Sequence, residues 1–412
     1  MITPIFLAIL LFTLMIFLKS KDSIDFLQPS VIFSIIILST YLMTTFRLSD
    51  LQNFYPIWFT LLIIFLVIIF FIGERISNYF SVSNTMSVVK YSSNMMRVIS
   101  FVMWVTIIFS FFMMVSILGA PPALSKSNRA EYFVSGWGSI VITQSSFWGL
   151  ILYDRFNKNS NGLLFWIYFL TIFVIAFLLS NKYQIMYMIV LYLIAYNSFR
   201  KKINIKNMLV IFISSIFVFI VLFEFVYKDM YGVSLDTLYY SYRMKLPSSL
   251  SFLTQPYLYV SFNFDNLFNY LSNSTQSFNG LKTFGAIIDI FGLNSLFESK
   301  IFEMNSEWKN ILRIKTMTTG TMFQDFAQDG KFLGMIILTF ICGFWSGITY
   351  KLFKFNKDFA TFFLYSATIV AIFMSFFSNV FTSKVTIINL ASAIILKQIL
   401  NVNIFFGRRR NE

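Results

Sequence analysis

The sequence predicts an all-α polytopic membrane protein with about eleven transmembrane helices and one large extracytoplasmic loop. Three observations carry this. Hydrophobic residues fill 57% of the 412 positions and charged residues only 12%, a balance too apolar for the common soluble classes. Apolar runs of near-membrane length recur along the chain. One stretch, from Lys228 to Lys331, contains no such run and mixes aromatic residues with Arg, Lys, Asn, Thr and Asp.

Taken in order, the runs are 2–18, 27–46, 56–73, 98–118, 133–153, 163–180, 183–199, 207–227, 332–350, 359–380 and 385–400. The shortest would cover ~24 Å as a helix, against a hydrocarbon core of ~30 Å, so some helices must extend beyond their apolar run. The first run lacks a basic leader and is followed by Lys19-Ser20-Lys21 instead of small residues, so it reads as a span and not as a signal peptide. The run 133–153 carries Gly136, Gly138, Gln144, Ser145 and Ser146 and reads as broken or cavity-lining. Runs 163–180 and 183–199, separated only by Asn181 and Lys182, form a tight hairpin with Lys182 at its tip. Gly343 and Gly347 give span nine a small-xxx-small face for close helix packing. The chain is thus one integral-membrane domain: an eight-span bundle (1–227), the large loop (228–331), and three spans with a basic tail (332–412). No repeat or soluble domain is visible.

Charge sets the orientation. Alternate loops hold seventeen Lys and Arg, from Lys19 and Lys21 through Arg75, Arg155, Arg200 and Lys351 to Arg408–Arg410. The short loops of the other set hold five: Arg47, Lys126, Arg129, Lys182 and Lys384. The positive-inside bias places the first set and the C-terminus in the cytoplasm, and the N-terminus and large loop on the other side. The same distribution accounts for much of the net charge of +14, so no nucleic-acid partner is implied.

Within the large loop, Leu235, Leu238, Tyr239, Tyr242 and Leu246 recur at helical spacing, as do Leu281, Phe284, Ile287, Ile288 and Phe291 between Gly280 and Gly292. Both segments read as amphipathic helices that lie on the membrane or cap the bundle. Pro247 and Pro256 punctuate the stretch between them, and 265–271 reads as another short helix. Polar residues then concentrate between Arg313 and Gly330, directly before span nine.

The chemistry open to the chain is narrow. It has no His, which removes the commonest metal ligand and general base. No metal or cofactor motif is visible. The one cysteine, Cys342, lies in a span and reads as a packing residue. Glu224 is the one acid inside these runs, and Lys397, near an inner end, can snorkel. A proton or sodium pump is therefore disfavoured. Short cytoplasmic loops leave no room for a nucleotide-binding domain, so a transferase here would need an activated lipid-linked donor. Arg47, Arg129, Lys182, Arg243, Lys245, Arg313 and Lys315 share one side of the membrane and suit a diphosphate, which Arg grips bidentately. The competing reading makes each an interfacial anchor. Asp325 and Asp329 are four apart and share a face if helical, either as acids of a site or as caps of span nine.

Three stretches resemble the Wzy-type O-antigen polymerases, also called oligosaccharide repeat-unit polymerases. The strongest lies in 316–350, where Asp325-Phe326-Ala327 and Asp329-Gly330 stand in place of an Asp-Phe-Gly before a Gly-rich span. The second is 239–270, with Tyr242-Arg243, Pro247, Tyr257, Tyr259 and Asn263 in the spacing of the family's large external loop. The third is the hairpin at Asn181-Lys182, where relatives often carry Arg; Lys keeps the charge but loses the fork.

The resemblance implies the membrane fold of lipid-linked-sugar transferases, which includes the O-antigen ligases, in a bacterial inner membrane with a periplasmic N-terminus. It implies polymerisation of a surface polysaccharide of lipopolysaccharide type. A growing glycan would pass from undecaprenyl diphosphate to another undecaprenyl-diphosphate-linked repeat unit, without metal or cofactor. A chain-length regulator and a flippase would be its partners. The ligases use an external His that this chain lacks, which favours polymerase. On this reading Asp325 or Asp329 orients or deprotonates the acceptor, with Arg243 counted among the catalytic residues. Arg129, Lys182, Arg243, Lys245 and Arg313 hold the diphosphates, Tyr242, Tyr257 and Tyr259 stack on sugars, and Asn263 and Thr319 add polar contacts. The alternative is a lipid-linked oligosaccharide flippase, for which shorter external loops and a charged central cavity would be expected.

Overall fold

The computed structural model describes Leu7 and residues 27–80, 91–125, 132–158, 162–201, 235–274, 276–315 and 317–408. Leu7 apart, the expected spans 2–18 and 207–227, with Glu224, lie outside them. The helices are α1 (Pro29–Thr45), α2 (Ile57–Ser77), α3 (Ser93–Leu118), α4 (Trp137–Ile142), α5 (Gln144–Lys158), α6 (Gly162–Leu178) and α7 (Lys182–Phe199). They continue with α8 (Leu235–Ser241), α9 (Thr254–Asn273), α10 (Leu281–Ile290), α11 (Glu298–Ile311), α12 (Met322–Asn356), α13 (Phe359–Phe373) and α14 (Lys384–Arg408). A 3₁₀ segment kinked at Leu250 (Ser248–Leu253) precedes α9, and a shorter one (Leu293–Phe297) precedes α11. Among the described residues the one β feature is an isolated antiparallel bridge between Ser49 and Met244. Among the described residues three helices are long and apolar enough to cross a membrane: α2, α3 from Asn94, and α12. Shorter apolar helices are α1, α6, α7 from Tyr183, and α13. The apolar helices mark a membrane protein.

The described residues fall into two compact units. The first draws on Met1–Phe80, Lys206–Ile348 and Ala371–Ser383, the second on Ser81–Ile205, Thr349–Val370 and Lys384–Glu412. In the first, α1 packs on α2 and α9 packs on α1. The glycine face of α12 brings it close against α2. A Cβ on Gly343 would fall 2.1 Å from the Phe70 carbonyl oxygen, and one on Gly347 2.0 Å from the Ser77 hydroxyl. Glu74 of α2 accepts the Ser30 amide at 2.5 Å and the Gln28 side chain at 2.6 Å, so it caps the first turn of α1 from a neighbouring helix.

In the second unit the run 133–153 is broken at Thr143, between α4 and α5. Its two adjacent serines are spent on helix contacts. Ser145 donates to Gln184 of α7 at 2.9 Å, and the Ser146 amide donates to Asn389 of α14 at 2.9 Å. The α6–α7 hairpin turns as expected, with Asn181 capping α7 through the Gln184 amide at 3.2 Å. Lys397 reaches Asp358 at 3.5 Å.

Four expectations change. The run 359–380 is helical only to Phe373, after which turns lead to Lys384. The segment 235–246 is helical only through Ser241. In place of a short helix at 265–271 the chain forms the 20-residue α9. Pro256 does not interrupt it, because a first-turn proline lacks only an amide that has no intrahelical partner anyway. Residues Glu298–Ile311 form α11, a helix beyond the amphipathic segments read from the sequence.

Candidate functional site

The site is built around α9 in the first unit. Two polar stripes run along this helix, Ser261–Asp265–Asn269 and Asn263–Asn266, and all five residues are buried. Such residues compete with helical hydrogen bonds and favour caps and turns. Here tertiary partners hold most of them.

At its N-terminal end α9 fixes the α1–α2 connection. The Tyr257 hydroxyl accepts the Leu48 amide at 2.9 Å and donates to Gln52 at 2.5 Å. The segment after α8 pairs with the same connection. The Lys245 amide donates to the Leu48 carbonyl at 2.8 Å, the Asp50 amide to the Arg243 carbonyl at 3.1 Å, and the Ser49 hydroxyl to the Tyr242 carbonyl at 2.5 Å. Tyr257 is thereby a core residue, packed with Met244, Leu258 and Phe262, and Tyr242 packs against that cluster. Lys245 pairs with Asp50 at 2.9 Å on the surface. Arg243 is exposed and sits at φ 46°, a left-handed backbone that is uncommon outside glycine.

The middle of α9 anchors a cation. Asp265 accepts the Asn53 amide at 2.7 Å, and Asn269 accepts the Asn53 side chain at 2.9 Å. Asn53 in turn accepts the exposed Arg313 guanidinium at 3.1 Å. Arg313 is thus fixed through Asn53 to two buried residues of α9. Burial is the leading influence on Asp265 and pushes its carboxyl up to about 6, partly offset by the Asn53 amide and by Tyr55 and Gln52 beside it.

The other face of α9 holds the segment that leads into α12. Asn266 donates to the carbonyls of Met317 and Thr319 at 2.8 and 2.7 Å, and the Thr319 hydroxyl donates to Asn263 at 2.7 Å. Lys315 caps the end of α11 through the carbonyls of Lys309 and Asn310. Tyr259 stacks on Phe377, with ring centres 5.5 Å apart.

Helix α12 then begins at Met322, whose amide donates to Ser375 at 2.8 Å. Asp325 lies in its first turn, about a quarter exposed (24%), with the Lys282 ammonium 3.9 Å away. Asp329 is buried and fully engaged: its carboxylate accepts the amides of Lys282 and Thr283 at 2.8 and 2.7 Å, capping α10. A cap reading of Asp329 is therefore right in kind, but the helix it caps is α10 and not its own. Directly after it the backbone departs from helix at Gly330 and Lys331, before the long apolar part of α12. Gln324 is buried beside these acids in sequence, and neither its amide oxygen nor its nitrogen has a partner among the described residues.

The structure ties Thr319 to Asn263 of α9 directly and Arg313 to α9 through Asn53, and Lys282 contacts both Asp325 and Asp329. Arg243, Lys245, Tyr242 and Tyr257 gather at the α1–α2 connection, which also supplies Asn53, the partner of Arg313. Arg129 lies outside the described residues. Lys182 opens α7 in the second unit, and its side chain is not described. Sequence reasoning missed Asn53, Asp265, Asn269 and Lys282; the four-residue spacing of Ser261, Asp265 and Asn269 was the available signal. No protein-family model matches the chain, and neither does any curated protein or solved structure.

Proposed function

We propose that the chain is a Wzy-type polymerase of surface polysaccharide, working on undecaprenyl-diphosphate-linked repeat units at the periplasmic face of the bacterial inner membrane. Counting 2–18 and 207–227, it would have about eleven spans, with 228–331 outside. The observation that carries the reading is Arg313, an exposed guanidinium held by Asn53 and, through it, by buried Asp265 and Asn269. Pre-organising a cation in this way lowers the cost of gripping a diphosphate.

In the proposed reaction the acceptor hydroxyl oxygen attacks the anomeric carbon of the donor glycan. The bond from that carbon to the diphosphate oxygen breaks, and undecaprenyl diphosphate leaves with the electron pair. Arg313 and Arg243 offset its charge. Asp325, partly exposed and with neither carboxylate oxygen bound to a backbone amide among the described residues, takes the acceptor proton; Asp329, with both oxygens engaged, supports the frame.

Polymer made by purified protein from lipid-linked repeat units tests this. Arg313→Ala and Asp325→Asn should stop chain growth while the protein remains in the membrane, and Arg313→Lys should restore it in part. Asp329→Asn should be milder. Full activity in both Arg313→Ala and Asp325→Asn would remove these residues from the chemistry. In cells, a deletion that leaves single repeat units on the surface supports a polymerase, whereas cytoplasmic accumulation of the lipid-linked unit points to a flippase.

A further inference from the structure

Helices α10 and α11 form a small hairpin with its own core, in which Phe278, Leu281 and Met304 are buried and Ile288, Phe297 and Ile301 pack against them. That core uses only part of the apolar surface. Phe284, Ile287, Phe291, Leu296 and Phe302 are left exposed, Phe302 at 75% and Phe291 and Leu296 at 72%. On α10, Phe284, Ile287 and Phe291 recur at helical spacing on one side and Lys282 and Asp289 lie on the other, so the hairpin presents an apolar side along α10. Contiguous apolar patches of this kind mark a contact surface.

Its attachment indicates what covers it. The first turn of α10 is clamped by Asp329 through the amides of Lys282 and Thr283. Three and four residues after Asp329, Phe332 and Leu333 open the apolar part of α12, and both are exposed, Leu333 at 66%. Phe332 meets Trp58 at the start of α2, with ring centres 6.4 Å apart, and Phe54 and Ile57 are exposed beside it. Aromatic residues at the ends of two apolar helices are the pattern of a membrane–water boundary. The hairpin is thus tethered where two candidate spans enter the bilayer. At ten residues α10 is ~15 Å long, too short to cross, but suited to lie in the interface.

We propose that the α10–α11 hairpin is a monotopic element whose apolar side is buried in the lipid leaflet at that end of α2 and α12. The occupant of the exposed face is the lipid surface itself, reached through hydrocarbon contact. The charged residues from Lys282 to Lys309 carry no basic excess, so anionic headgroups are not required. This inference is independent of the catalytic reading.

The test uses the full chain with Cys342→Ala, reconstituted in vesicles of neutral lipid. Single cysteines at Phe291, Leu296, Phe302 and Glu303 carry a nitroxide, and Leu333 serves as the reference for a lipid-facing site. Collision with oxygen, which enters lipid, is compared with collision with a water-soluble nickel chelate. The ratio should be high at Phe291, Leu296 and Phe302, near that of Leu333, and low at Glu303. Nickel access equal to that of Glu303 at all three sites would overturn the proposal. Protection from both reagents would overturn it too, showing that protein covers the face. Three sites read the same surface, so one poorly folded variant does not decide the outcome.

Discussion

The two halves of the long polar stretch invert the usual relation between polarity and position. In α9, thirteen residues are buried, among them Ser261, Asn263, Asp265, Asn266 and Asn269. In α10 only Leu281 and Thr283 are buried, and in α11 only Met304, while Phe284, Phe291 and Phe302 are exposed. A soluble protein would place the asparagines outside and the phenylalanines inside. The inversion teaches that hydropathy here reports the nature of the neighbour and not the depth of burial. The first half gives its side chains to other segments of the protein; the second leaves an apolar side for a contact the chain does not supply.

Truncating one aromatic in each half should separate them most clearly. Phe264 is fully buried, beside Tyr41 at a ring distance of 5.2 Å. Phe264→Ala should cost ~3–5 kcal/mol, the usual range for a buried phenylalanine. Phe302→Ala should stay within about 0.5 kcal/mol, as expected of an exposed site. Thermal unfolding in detergent measures both, and equal losses would mean that the halves do not differ in this way.

Asp265 sharpens the comparison through pH. Its folded-state carboxyl is raised to about 6 from an ordinary value of 3.8. A raised acid favours the protonated folded state, so its contribution is complete below the unfolded value and is lost as pH rises through about 6. Stability should therefore increase as pH falls from neutral toward 5, on top of whatever other groups contribute. Asp265→Asn should flatten that component, and an unchanged slope between pH 5 and 7 would show that Asp265 is not the group responsible.

The parts legible in sequence were those decided locally. Apolar runs located α1, α2, α3, α6, α7, α12 and α14, and Gly280 and Gly292 bounded α10 nearly as read. The close approach at Gly343 and Gly347 followed from residue size alone. What was not legible depended on distant partners. Helix α9 looks like loop because Ser, Asn and Asp are weak helix formers, and only Asn53, Met317 and Thr319 from elsewhere reward its polar faces. The caps supplied by Glu74 and Asp329 join segments 44 and 46 residues or more apart, so spacing gave no sign of them. Arg313 was visible as a cation, but its support by Asn53 was not.

Asp329 is the tether of the second half, and its removal should loosen that half selectively. Asp329→Ala leaves the amides of Lys282 and Thr283 without their acceptor, a loss of ~1–2 kcal/mol on the scale of helix caps. Hydrogen exchange should rise in α10 and leave α9 protected. A rise spread evenly over both helices would make Asp329 a general packing residue.

The smallest effect belongs to Lys282, at the contact between α10 and the first turn of α12. Its ammonium is 3.9 Å from Asp325, and the two side chains are 35% and 24% exposed. At that distance and exposure, solvent screens the attraction, so coupling should fall at the low end of ~0.2–1 kcal/mol. A double-mutant cycle of Lys282→Gln with Asp325→Asn isolates it. The coupling should shrink further in high salt, because a partly exposed pair is screened by mobile ions. Persistence in salt would mean that the pair is drier than its exposure implies. Zero coupling at every salt concentration would mean that Lys282 belongs to α10 through its backbone alone, held by Asp329, and that the Asp325 carboxylate stands without a cation of its own.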